Sequence, residues 1–157
     1  MPNLDFIMDK VADSVERPPL APLGDYVWQV TKLPEPDRVI SSDKGSWDVM
    51  EFPVQVVRAT DEVDPDLLKA YGDVKNIRAR KSFLFTKDPS DQAGRDTTAF
   101  QMTEWLTKHL GQDSSMTVRE LVNGAVNKQF LGTLKYRADA NDKSVQYHEL
   151  GKTAPLA

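Results

Sequence analysis

From Lys128 to Arg137 alternate positions differ in character, with Phe130, Gly132, Leu134 and Tyr136 on one side and Leu131, Thr133, Lys135 and Arg137, polar but for Leu131, on the other. A period of two is the pleat of a half-buried strand and fits no helix face. The same period recurs over residues 47 to 59, where Met50, Phe52, Val54 and Val56 alternate with Glu51, Pro53, Gln55 and Val57. Pro53 cannot donate to a ladder, so it predicts an edge or bulged position in that strand. Residues 26 to 31 (Tyr-Val-Trp-Gln-Val-Thr), 75 to 85 (Lys-Asn-Ile-Arg-Ala-Arg-Lys-Ser-Phe-Leu-Phe) and 145 to 150 read as three more strands, the last turned back by Asn141-Asp142.

Helical signals lie between and before these strands. Leu4, Ile7, Met8, Val11 and Val15 recur at helical spacing over residues 3 to 16, with Asn3 as cap and Pro18-Pro19 as stop. Asp64-Pro65 followed by Leu67, Leu68, Tyr71 and Gly72 predicts a short capped helix. Residues 88 to 94 read as a polar loop, and residues 96 to 110 place Ala99, Met102, Leu106 and Leu110 on one side before Gly111. Thr117-Val118-Arg119-Glu120 has the spacing of a capping box.

The order is helix, strand, strand, short helix, strand, helices, strand, strand. Five strands with the main helical insertion between the third and fourth predict a mainly β (α+β) chain. The expected form is a five-stranded OB-fold-like barrel with an N-terminal helix, and a mixed antiparallel sheet with helices on one side is the alternative. Residues 1–19 are expected to form a helix or arm and residues 20–157 the domain; 157 residues suffice for one core without a staple. The N-terminal stripe is expected to pack on its own domain or on a second subunit, so a homo-oligomer is compatible with it.

Charge is unevenly placed. The chain sums to −4, yet residues 1 to 66 carry 14 acids and 6 bases while residues 67 to 157 carry 10 acids and 14 bases. Between Lys69 and Lys87 six bases face one acid, Asp73. An anionic partner would explain that excess, whereas a solvated strand that discourages edge pairing is the plainer alternative. Strand alternation puts Arg78 and Arg80 on one face and Ile77 and Ala79 on the other, so two guanidiniums point together into solvent. Lys135 and Arg137 repeat the pattern and are expected to form a second wall of one groove. Lys75 and Lys81 lie near the first pair. Arginine forks match phosphate oxygens, and each neutralised phosphate releases counterion. Trp47, after Gly45-Ser46, and Tyr147, beside His148, are the expected base-stacking rings, while Trp28 and Tyr136 fit the core.

Other chemistries lack their signatures. Cysteine is absent, which removes disulfides and thiolate ligands. Asp61, Glu62, Asp64 and Asp66 lack the glycine and distal glutamate of a calcium loop, and His109 and His148 are isolated, so no metal or other cofactor is expected. No nucleophile elbow, phosphate loop or dinucleotide fingerprint occurs, and no catalytic residue is assigned. An enzyme with dispersed carboxylates is the reading this leaves open. No apolar run reaches membrane-helix length and the N-terminus is acidic, so a soluble, untargeted protein is expected.

Pro22-Leu23-Gly24-Asp25-Tyr26 opening the first strand, the Arg78 to Phe85 strand, the helix ending in Leu110-Gly111, and residues 128 to 137 before the Asn141 turn carry a further likeness. Over most of residues 20 to 155 the chain resembles phage-encoded single-stranded DNA-binding proteins of the OB-fold type. The resemblance implies a non-enzymatic protein that coats single-stranded DNA in replication or recombination. It also implies contact with replication or recombination proteins and a place in the cytoplasm of an infected host cell. Several such phage proteins end in an acidic flexible tail, whereas this chain ends Lys152-Thr153-Ala154-Pro155-Leu156-Ala157. A phage structural or assembly protein, using its N-terminal helix and basic strand for protein contacts, is the competing reading.

Overall fold

Two tryptophans and a ring of aromatic side chains organise the interior. Trp28, Tyr26, Phe52, Phe130 and Trp105 are buried to within 2 % of full exclusion, and all of them belong to one apolar cluster. The computed structural model describes residues 3–14 and 17–156. Six strands form one antiparallel sheet: β1 (Gly24–Val30), β2 (Val39–Ser42), β3 (Gly45–Ala59), β4 (Arg78–Thr86), β5 (Gln129–Ala138) and β6 (Gln146–Ala154). Hydrogen-bonded neighbours run β2-β3-β1-β5-β6, with β4 on the other edge of β3.

The expected five-strand count is corrected by β2, a four-residue strand that pairs with the start of β3. Its sequence, Val-Ile-Ser-Ser, is too short to show a period. β3 is long enough to serve three partners, taking β2 and then β1 along one edge and β4 along the other. Pro53 lies between the stretches covered by β1 and β2, where its carbonyl accepts only from Thr31 of the connecting loop. That is the local edge its missing N–H requires.

The sheet curls but does not close. β4 and β6 come within 8 Å of each other at their Cα atoms without a hydrogen-bonded ladder. A helix covers this seam. α3 (Gln92–Glu104) runs against β4 and continues as one π-helical stretch, Trp105–His109, against β6. His109 Nδ1 and Thr153 Oγ1 meet at 2.7 Å across the join. α3 begins earlier than expected because Asp91 accepts from the Gly94 N–H at 3.0 Å, a cap that draws the polar loop into the first turn. Ala99 is exposed, whereas Met102, Leu106 and Leu110 are buried. The wider π turn, in which the Leu110 N–H reaches back to the Trp105 carbonyl, rotates the buried side away from Ala99.

α2 (Pro65–Tyr71) is capped by Asp64, and α4 (Val118–Asn123) by the Thr117–Glu120 capping box. The N-terminal helix is the largest departure. Only α1 (Asp5–Met8) and a 3-10 turn at Ala12–Ser14 are helical, Val15 lies outside the described residues, and every described residue of this arm is exposed. Four residues cannot repay helix nucleation without a packed face. The expected packing of the stripe on its own domain is therefore absent among the described residues.

The root of the arm is strapped to the sheet. The Tyr26 hydroxyl donates to the Pro22 carbonyl at 2.6 Å, the Tyr136 hydroxyl to the Ala21 carbonyl, and the Ala21 N–H to His148 Nε2 at 2.9 Å. That last bond requires an unprotonated Nε2. Burial pushes the His148 imidazole below its ordinary 6.5. The unfolded chain therefore takes up the proton first as pH falls. Stability from this group is complete above 6.5 and is lost as pH falls through the lower value of the folded state. Urea midpoints measured from about pH 7.5 down to about pH 5 should fall with pH, and His148→Gln should flatten part of that slope. The remainder belongs to His109, also lowered, first by burial and then by Lys81. A wild-type midpoint that does not move over this range would refute the assignment.

Candidate functional site

β4 carries two kinds of side chain in strict alternation. Ile77, Ala79 and Phe83 turn to the core, and Arg78, Arg80 and Ser82 turn outward. Register with β3 sets Arg78 opposite Gln55 and Arg80 opposite Pro53. The loop from Thr31 to Arg38 stands along the far edge of the same stretch of β3, rich in proline and joined to the sheet by the Thr31 N–H to Pro53 carbonyl and Val49 N–H to Arg38 carbonyl bonds. Between loop and strand lies a hollow of about 610 Å³, bordered by Lys32, Arg38, Glu51, Gln55, Arg78 and Arg80 among others.

Glu51 organises the cations of this hollow. Its carboxylate forms an ion pair with Arg38, lies 3.6 Å from the Arg80 guanidinium and accepts from the Ser82 hydroxyl at 3.1 Å. With a side chain only 14 % exposed, it holds two guanidiniums in place from below. Arg78 and Lys32 form no ion pair among the described residues. Four cations against Glu51 and Glu35 leave the hollow with a positive balance. Two guanidiniums held by Glu51 thus stand beside the Arg78 guanidinium and the Lys32 ammonium, donors of the kind that match phosphate oxygens.

The remaining expected site residues are dispersed. Lys75, exposed on the 3-10 turn Val74–Asn76, borders a smaller adjoining hollow of about 230 Å³. Lys81 belongs with Ile77 and Phe83 on the inner side, its ammonium 5.4 Å from the centre of the Phe83 ring, and burial pushes its pKa down. The grouping of Lys81 with Arg78 and Arg80 is thus corrected by the odd-even rule of the strand itself. Lys135 and Arg137 point outward from β5 but border neither hollow. Pairing carries Arg78 across to Gln55, Gln29 and Gln129 in turn. Lys135 therefore lies about 20 Å further along β5. The stem of Lys135 runs over Gly151, and its register partner is Glu149.

Tyr147 anchors a second cluster. The Arg17 and Arg137 guanidiniums lie 5.1 and 5.8 Å from its ring centre, and its hydroxyl donates to Asp139 at 3.1 Å. Tyr147 as a whole is 37 % exposed. Trp47 is half-buried at the start of β3, between Ile40 and Thr86, and lines none of the hollow. The sequence reading passed over Lys32 and Arg38. Their only signal was a basic residue at each end of Leu33-Pro34-Glu35-Pro36-Asp37, a proline-rich stretch just after the first strand.

Compared with protein families and with curated proteins, the chain matches no family model and no curated relative. No helix among the described residues is long and apolar enough to cross a membrane, and none of their acidic and histidine side chains gather in threes as a metal site would need.

Proposed function

We propose that the chain binds single-stranded DNA, without catalysis, along the hollow between the Thr31–Arg38 loop and the outer face of β3 and β4. The observation that carries this reading is the convergence of Lys32, Arg38, Arg78 and Arg80 on one groove in a chain of net negative charge. Strand order supports it. Leaving out the short β2, the support for an OB-fold reading is the order of the long strands: β3 between β1 and β4, β5 beside β1, and the main helix between β4 and β5. In that fold oligonucleotides bind at the face of the second and third strands and at the loops joining strands one to two and four to five; on this reading β3, β4 and the Thr31–Arg38 loop supply that face and the first of those loops. The resemblance to phage single-stranded DNA-binding proteins adds a role in replication or recombination within an infected cell.

Fluorescence anisotropy of a labelled single-stranded oligonucleotide of mixed sequence tests the reading. Binding should be tight at low salt and weaken with a log–log slope of roughly −2 to −3, as expected for three or four neutralised phosphates on a single strand. No binding at low salt, or equal binding of duplex, would defeat it.

The exposed arm supports a second reading. Phe6, Met8 and Val11 are each about 70 % exposed, an apolar surface that suits a phage structural or assembly protein. On that reading Arg78→Ala with Arg80→Ala alters particle assembly or oligomerisation and leaves nucleic-acid retention unchanged.

A further inference from the structure

The large hollow does not end at Arg78. Thr31 and Gln55 border both it and the 230 Å³ hollow beside Lys75, so the two adjoin there as a channel in two parts across β3 toward β1. No aromatic side chain borders either hollow. A nucleobase that leaves the phosphate-holding groove on this side meets amides instead: Gln55 at the junction and Gln29 beyond it. These residues are in register on neighbouring strands, with Gln129 next in the row on β5.

The two amides that border the channel are not equivalent. The Gln55 Nε2 donates to the Lys75 carbonyl at 2.5 Å. A carbonyl only accepts, so that contact fixes which end of the amide is nitrogen. The Gln55 Oε1 has no hydrogen-bond partner among the described side chains, and it lies on the residue shared by both hollows. Gln29 is engaged at both ends, accepting from Gln129 Nε2 and donating to Asn127 Oδ1, each at 3.2 Å.

We infer that Gln55 is a base-contacting residue: its anchored amide hydrogen-bonds the edge of an unpaired base at the channel junction, so bases are held here by edge contacts and not by aromatic stacking. The inference rests on the single-strand reading above and departs from the stacking role that the sequence suggests for Trp47 and Tyr147. Edge contact is sensitive to what the base offers for hydrogen bonding, whereas stacking is tolerant of it.

The test pairs a short oligothymidine with the same oligomer carrying 2,4-difluorotoluene in place of thymine, a ring of the same shape that lacks the hydrogen-bonding edge. Wild-type protein should bind oligothymidine more tightly by about three- to tenfold, the worth of one net hydrogen bond. In Gln55→Met, which keeps the side-chain length without the amide, that ratio should fall toward one. Wild-type protein that binds both oligomers equally, or a Gln55→Met protein that keeps the full ratio, overturns the inference while leaving single-strand binding intact. Wild-type protein that binds neither overturns both readings. The wild-type comparison stands without the variant, so a misfolded Gln55→Met protein does not remove the test.

Discussion

Replacing Trp105 by alanine is expected to cost about 3–5 kcal/mol of folding stability, measured as a lower urea midpoint at unchanged slope. Trp105 is 2 % exposed and touches three rings, with centroids at 5.0 Å from Phe52, 5.8 Å from Phe83 and 5.5 Å from Phe130. Phe52 and Phe83 lie on paired strands, Phe130 on β5, and Trp105 opens the π-helical stretch that lies against β6. One side chain thereby ties the seam helix to both halves of an unclosed sheet. A domain of ordinary stability, about 5–15 kcal/mol, would lose a large share of its margin. Phenylalanine separates packing from polarity. The Trp105 Nε1 is buried with no hydrogen-bond partner among the described residues, and an unpaired buried donor costs about 1–3 kcal/mol. Trp105→Phe removes that donor while leaving a ring, so its loss should be well below that of alanine. An alanine variant within about 1 kcal/mol of wild type would show that the helix does not hold the seam.

The second large effect belongs to the groove. Arg78→Ala with Arg80→Ala should weaken single-stranded DNA binding at low salt by on the order of a hundredfold, two charge-assisted contacts being lost. The salt slope should become shallower by roughly 1.4, which is 0.7 for each phosphate no longer neutralised. Folding should be little affected, because both side chains are exposed and Glu51 keeps Arg38 and Ser82 as partners. Lys135→Ala with Arg137→Ala is the comparison, since these residues border a different part of the surface. An equal loss from both pairs would mean that the hollow is not the binding track, and no loss from the first pair would remove nucleic acid as its ligand.

Local chemistry explains why some elements are legible in the sequence. Asp64-Pro65, the Thr117–Glu120 box and the alternations of β3 and β5 are interactions within a few residues, so their signals are complete in the sequence. β2 and the π turn were not readable. The first exists because β3 offers it an edge, and the second because Trp105 must reach the rings of three strands. The N-terminal arm shows the converse, a helical period with nothing to pack against among the described residues.

The basic strand divides in the same way. Alternation alone assigned Arg78 and Arg80 to the outside and Ile77 and Ala79 to the inside, because successive side chains of any strand must point to opposite faces. It also determined the side of Lys81, although charge made that residue look like one of the outer cluster. Which cations stand together was beyond a one-dimensional pattern. Lys32 and Arg38 come to the groove because the loop after β1 returns along the edge of β3, and Lys135 falls away because three strand pairings set Arg78 level with Gln129. Local period decides direction, but only the register of strands far apart in sequence decides neighbours.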